Sequence, residues 1–252
     1  MPTRPGASFR EARPRFLLLQ VREPGDPMAE RERTCFQRAL RAPEEALVTF
    51  DLLGGRPSPR RLGQFDAALV GGSGDHSVVR GGPWLADALD TMRTLHAEAI
   101  PTFASCWGFQ ALAAALGGRV VTDRARGEIG IIPLHLTAEG RRDPVFGPLG
   151  SPFSVVIGHE DIVTDLPRDA VRLASSDTIA NEAFRFRGKP IYATQFHPEV
   201  DRDGLVDRVA QYPEYLELTG FTELGAWRRS LPPTGPVDAL FRRFVRRFVL
   251  RR

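Results

Sequence analysis

Mostly apolar runs of strand length, each followed by a helix-length segment, recur through the first half of the chain and leave few folds open to it. Arg15-Phe-Leu-Leu-Leu-Gln-Val21, Ala46-Leu-Val-Thr-Phe50, Phe65-Asp-Ala-Ala-Leu-Val70 and Ala99-Ile-Pro-Thr-Phe-Ala104 are such runs. A strand that is apolar on both faces belongs inside a sheet covered on both sides, and strands separated by helices pair in parallel. Met28–Arg41, Trp84–Glu98 and Trp107–Leu116 supply the predicted helices. The expectation is therefore an α/β fold with a mostly parallel central sheet covered by helices on both faces. Between about residues 117 and 190 the texture changes to shorter strands punctuated by glycine and proline. Arg119–Thr122, Ile129–Ile132, Phe153–Ile157 and Ala183–Phe186 predict a small antiparallel or mixed extension.

A length of 252 residues fits one domain of ordinary size. Residues 1–14 read as a mobile polar arm and 15–252 as a single domain. Its last part, 201–252, reads as a helical extension broken at Pro213 and Pro232-Pro233. No apolar stretch approaches the roughly 18 residues of a membrane span, and Met1–Pro14 has no apolar core for a signal peptide. The two cysteines, Cys35 and Cys106, argue against a disulfide framework and for a reducing compartment. The expected location is cytoplasmic.

The net charge is +3, and Lys189 is the only lysine among the basic residues. The one dense basic segment, Arg242–Arg252, is interleaved with apolar residues. Leu240, Phe241, Phe244, Val245, Phe248 and Val249 recur there at helical spacing, which predicts a terminal helix docked on the sheet. Neither nucleic acid nor membrane is the expected partner.

Chemistry concentrates in two places. Cys106 stands between the predicted strand ending at Ala104 and the predicted helix from Trp107, and its neighbours Ala104, Ser105 and Gly108 are small. Such a turn exposes a nucleophile and sets the N–H of the next residue, Trp107, at a helix N-terminus where it can stabilise an anion. A catalytic thiol needs a base and an orienting carboxylate. His197 and Glu199 follow the predicted strand Lys189–Phe196; two positions apart in an extended segment, they project to one side.

Cys106-Trp-Gly-Phe-Gln110 and His197-Pro-Glu199 together resemble the signature of the class I glutamine amidotransferases, a cysteine elbow of the form Gly-x-Cys-x-Gly-x-Gln with a late His-Pro-Glu. Val70-Gly-Gly-Ser73 resembles the family's oxyanion loop, Glu128-Ile-Gly130 its glutamine-pocket segment, and His159-Glu-Asp-Ile-Val163 a segment common near GMP-synthetase-type sites. The likeness spans roughly residues 45 to 200, in the family's order. Ala104, Phe109 and Ser73 depart from the pattern without removing a catalytic group. The resemblance implies a flavodoxin-like sheet and a Cys106, His197, Glu199 triad. It also implies oxyanion donors at Gly72 and Trp107, and substrate contacts at Gln110, Ser73, Glu128 and His159. The implied reaction is hydrolysis of the γ-amide of glutamine through a γ-glutamyl thioester, without a cofactor, feeding ammonia to a separate synthetase.

Other readings stay open. A stand-alone γ-glutamyl hydrolase uses the same chemistry without an acceptor, and a non-catalytic binding module can keep the fold. Taken singly, Cys106 could be a small core residue, His197 a strand-end histidine and Glu199 a solvated turn residue. Gly71–Gly82 is glycine-rich but fits no phosphate-binding fingerprint. The histidines and cysteines are scattered, so no metal site is expected.

Overall fold

The structure, a computed structural model, describes residues 13–250 with Pro213 left aside, so the predicted N-terminal arm falls almost wholly outside the described residues. Strands β1 (Phe16–Val21), β2 (Leu47–Asp51), β3 (Ala67–Ser73) and β4 (Thr102–Ser105) alternate with helices α1 (Pro27–Leu40), α2 (Pro59–Leu62), α3 (Leu85–Ala97) and α4 (Trp107–Ala115). The chain continues through β5 (Arg119–Thr122), β6 (Glu128–Leu136), α5 (Ala138–Arg142), β7 (Phe153–His159), β8 (Asp161–Asp165), β9 (Ala170–Ser175), β10 (Ala183–Phe186) and β11 (Ile191–Thr194). Helices α6 (Arg202–Gln211), α7 (Glu214–Leu218), α8 (Leu224–Ser230) and α9 (Ala239–Phe248) follow.

The main sheet has the order β2-β1-β3-β4-β11-β10-β9-β6-β7. Its first five strands pair in parallel. Taken in chain order among themselves they run 2-1-3-4-5, the flavodoxin-like arrangement, in which ligands gather at the carboxyl ends of the strands. The remaining strands are antiparallel, and β5 pairs with β8 in a separate ribbon. The expected α/β sheet with its mixed extension is thus present.

The period of two in each parallel strand explains why both faces are buried. Phe16, Leu18, Ala67 and Leu69 face one layer, with Phe36 of α1 and Phe241 and Phe244 of α9. Leu17, Leu19, Ala68 and Val70 face the other, with Met92 and Leu95 of α3 and Leu112 of α4. Helix α1 begins where Asp26 accepts a hydrogen bond from the Met28 N–H and Pro27 opens the first turn.

The arginine-rich terminal helix docks as its spacing predicts. Phe241 packs edge-on to Phe36 with ring centres 5.5 Å apart, and against Phe103 at 4.5 Å. Its Arg246 and Arg247 stay exposed.

Two features differ from expectation. Strand β6 runs on through Pro133 to Leu136 instead of stopping at Ile132. It pairs with β9 only at His135 and Leu136, so at Pro133 one side carries no partner strand and a missing N–H is tolerated. Strands β8 and β9 lie where the sequence pattern predicts none; β9 alternates buried Val171 and Leu173 with exposed Arg172 over only six residues.

Phe241→Ala is predicted to destabilise the protein by about 3–5 kcal/mol through cavity formation. Arg246→Ala should stay within about 0.5 kcal/mol. Guanidinium unfolding of the two variants checks the pair.

Candidate active site

Strand β4 ends at Ser105 and α4 begins at Trp107, so the whole change of direction falls on Cys106, at φ 52° and ψ −106°. A positive φ is unfavourable for a residue with a β-carbon and persists where its surroundings fix it. Here the Cys106 N–H donates to the Thr194 carbonyl at 2.8 Å, and the Cys106 carbonyl accepts from the Gln110 N–H at 3.2 Å. Gly108 lets the helix pass close to β3, because a β-carbon there would lie 2.8 Å from Val70 Cβ. The Trp107 N–H occupies the first helical position, where no intrahelical acceptor exists.

His197 and Glu199 reach the same place from β11, which lies beside β4 in the register Thr194 to Ser105. They do so by a turn at Pro198, not along an extended strand as the sequence suggested. His197 Nδ1 and Glu199 Oε1 are 2.6 Å apart, and Ser105 Oγ donates to the same oxygen at 3.2 Å. Both residues are almost fully buried, at 1% and 2% exposure. Cys106 and His197 converge: a β-carbon placed on Gly72 would lie 3.0 Å from His197 Cε1 and 3.8 Å from Cys106 Cβ. Burial and Arg208 oppose a charge on His197, whereas Glu199 and Cys106 favour it, and the balance raises its pKa to about 9.

Arg208 Nη1 lies 2.9 Å from His197 Nε2. A guanidinium can only donate, so in this arrangement Nε2 accepts and Nδ1 carries the proton shared with Glu199. An imidazolium is incompatible with that contact. Arg208 must therefore move aside when His197 takes a second proton. Leu205 and Val209 on the same face of α6 are buried, which brings Arg208 over the site.

Gly72 does not present its N–H to the site in this conformation, which corrects the simple oxyanion expectation. That N–H donates to Glu32 Oε1 at 2.9 Å. Glu32 is 1% exposed, receives Gln20 Nε2 at 2.9 Å and pairs with Arg22 at 3.4 Å. The buried carboxylate needs donors, and the Gly72 amide is one of them.

One cavity of about 300 Å³ connects these residues, lined by Cys106, Trp107, His197 and Arg208 together with Ser73, Gln110, Glu128 and His159. The candidate substrate residues line it, but most of their polar atoms are engaged. Gln110 Nε2 donates to the Asp161 carbonyl at 2.9 Å and to Gln195 Oε1 at 3.2 Å, while Ser73 Oγ donates to the His76 carbonyl at 2.6 Å. Glu128 and His159 group with Glu182, a trio that scattered histidines and cysteines did not foreshadow because carboxylates complete it. Burial and the charge of Glu128 raise the Glu182 pKa well above the usual carboxylate range.

The family description "Glutamine amidotransferase class-I" matches residues 64–204, a span that holds Gly72, Cys106, His197 and Glu199. The chain belongs to that family. It is 36% identical over 123 residues to one subunit of the glutamine-hydrolyzing GMP synthase of Methanothermobacter thermautotrophicus, covering 49% of this chain and 64% of that protein. Over 144 residues it is 33% identical to the glutamine-hydrolyzing GMP synthase of Streptomyces avermitilis, covering 57% of this chain and 26% of that one. The match thus takes in less than two thirds of either relative. A glutamine amidotransferase from Thermotoga maritima superposes with a TM-score of 0.71 at 23% identity, over 94% of this chain and 98% of that one. One from Methylobacillus flagellatus reaches 0.68 at 18% identity, over 92% and 94%. These likenesses show the shared fold.

Arg208, Glu32, Arg22 and Glu182 carry no mark in the sequence. Each is one charged residue among many, and only the fold turns it inward. Among the described residues, no helix is long and apolar enough to cross a membrane.

Glu32→Ala leaves the buried Arg22 without its carboxylate partner on α1 and is predicted to cost about 3–5 kcal/mol, measured by urea unfolding. A loss below about 1 kcal/mol would mean that the Glu32 cluster is weakly coupled to the fold.

Proposed function

We propose that this chain hydrolyses the γ-amide of glutamine with Cys106 as nucleophile, His197 as acid and base, and Glu199 as its orienter. The observation that carries the reading is the meeting of Cys106, on a strained elbow, with a buried His197–Glu199 pair in one cavity. Family membership makes the reaction class apt.

The chemistry follows from the positions. His197 takes the Cys106 thiol proton once Arg208 has released Nε2, and the thiolate attacks the amide carbonyl carbon. The Trp107 N–H at the start of α4 supports the oxyanion, and the Gly72 N–H joins it only if its peptide turns away from Glu32. Glycine at 71 and 72 permits such a turn. The imidazolium gives its proton to the departing nitrogen, ammonia leaves, and a γ-glutamyl thioester remains. His197 then draws a proton from water, which attacks the thioester; glutamate leaves and the thiol is restored. By analogy with the GMP synthase of Methanothermobacter thermautotrophicus, whose matching part is one subunit of several residues' likeness to this chain, ammonia would pass to a separate synthetase chain.

A second reading is favoured by one observation. The cavity extends beyond Arg208 to Leu205, Val209 and Tyr212, an apolar wall supplied largely by α6. That wall suits a leaving group larger than ammonia, as in a γ-glutamyl conjugate cleaved without an acceptor.

Glutamate release from L-glutamine and from a panel of γ-glutamyl amides separates the two. Cys106→Ala and His197→Ala are expected to abolish turnover of whichever substrate is used, and Glu199→Ala to reduce it less. Turnover retained by Cys106→Ala would overturn the mechanism.

A pH dependence follows as well. With the His197 pKa raised to about 9, kcat/KM should fall on the alkaline side near that pH as the imidazolium is lost. Glu199→Gln removes a favourable charge and should move that limb to lower pH. An unmoved limb would separate the titration from His197.

A further inference from the structure

We infer that Glu128, His159 and Glu182 form a binding site for one divalent transition-metal ion, beside the catalytic cavity. The three side chains offer one ligand atom each within 4.8 Å of one another. Metal bonds of about 2.0–2.6 Å hold donor atoms up to about 5 Å apart, so the spacing suits a single ion.

The hydrogen-bond pattern supplies the stronger argument. His159 Nδ1 lies 3.1 Å from the Asp161 carbonyl oxygen, which can only accept, so the Nδ1 proton points there and the neutral ring has its lone pair on Nε2. That Nε2 is 3.4 Å from Glu128 Oε2. Glu128 Oε1 accepts from Ser176 Oγ at 2.8 Å and Thr178 Oγ1 at 2.6 Å, while its Oε2 has no hydrogen-bond partner among the described residues. Glu182 is 0% exposed, and neither of its carboxylate oxygens has one. Acceptor atoms from three residues therefore meet with no donor between them, away from water. Buried acceptors need positive charge or donors, and a metal ion meets all of them at once.

The surroundings match what metal ligands require. An imidazole whose other nitrogen is fixed by a backbone carbonyl, and a carboxylate whose second oxygen is held by hydroxyls, are outer contacts that orient ligands toward an ion. One imidazole and two carboxylates form a borderline-to-hard set suited to Zn²⁺ or Mn²⁺. The ion would tie the ends of β6 and β7 to the segment leading into β10. His159 follows Gly158, whose carbonyl oxygen lies 3.8 Å from Cys106 Sγ, so the brace would fix one wall beside the nucleophile. The site stands on its own residues, independent of the proposed reaction.

The competing account puts protons where the ion would be, as a carboxyl on Glu182 and an imidazolium on His159. Metal content decides between them. The test uses the full chain carrying Cys106→Ala, which removes the thiolate and histidine pair as a rival zinc site. The protein is stripped with EDTA, titrated with ZnCl2 and separately with MnCl2 by calorimetry, and its metal is counted after gel filtration. We expect one ion retained per chain, a raised Tm, and at least tenfold weaker binding in Glu182→Gln and in His159→Asn. If one of these variants fails to fold, the other and the parent stoichiometry still decide. No stoichiometric uptake by the parent, or uptake that both variants leave unchanged, would overturn the site.

Discussion

The parallel pairing of β4 with β11 is the contact on which the rest of this molecule depends. These strands are far apart in the chain, yet the register Ser105 to Thr194 sets the end of one against the end of the other. The Cys106 N–H to Thr194 carbonyl bond at 2.8 Å then closes the junction. It holds a nonglycine residue at positive φ and brings His197 next to the elbow. The strain of order 1–3 kcal/mol at such a residue is sustained by a core buried on both faces of the sheet.

Around that junction, polar groups are shared between stability and chemistry. Glu199 holds His197 and accepts from Ser105; Glu32 balances Arg22 and holds the Gly72 amide. The geometry is therefore of a site whose histidine and cysteine are assembled while two of its contacts must change before it can work. Arg208 has to leave Nε2, and Gly72 has to turn if its amide is to serve an oxyanion. Both contacts lie at the cavity, so an arriving substrate or partner surface can alter them directly.

The parallel half of the fold was legible because strands buried on both faces write their position as plain apolar runs, and because Asp26 and Pro27 mark a helix start. Cys106 was legible as a nucleophile from small neighbours at a strand-to-helix change. The likeness to the amidotransferase family rested on motifs that the family match then covered. Short antiparallel strands were harder: β9 carries only two fully inward apolar side chains before its end, and β8 lies inside a segment read as a motif. The direction of the Gly72 N–H is a single peptide orientation with no sequence mark. Arg208 and Glu182 look like ordinary surface charges until α6 and the approach to β10 fold them inward. The turn at Pro198, not strand alternation, brings His197 and Glu199 together, so a correct pairing had a different geometric cause.

The central claim is that Cys106 carries the glutamyl group during turnover. Acid quenching of the protein during reaction with glutamine or the preferred γ-glutamyl amide, followed by peptide mass spectrometry, tests it most directly. The account predicts the mass of one glutamyl group on the peptide containing Cys106, lost on alkaline treatment and missing in Cys106→Ala. Turnover with no adduct on that peptide, or an adduct on Cys35 instead, would contradict it.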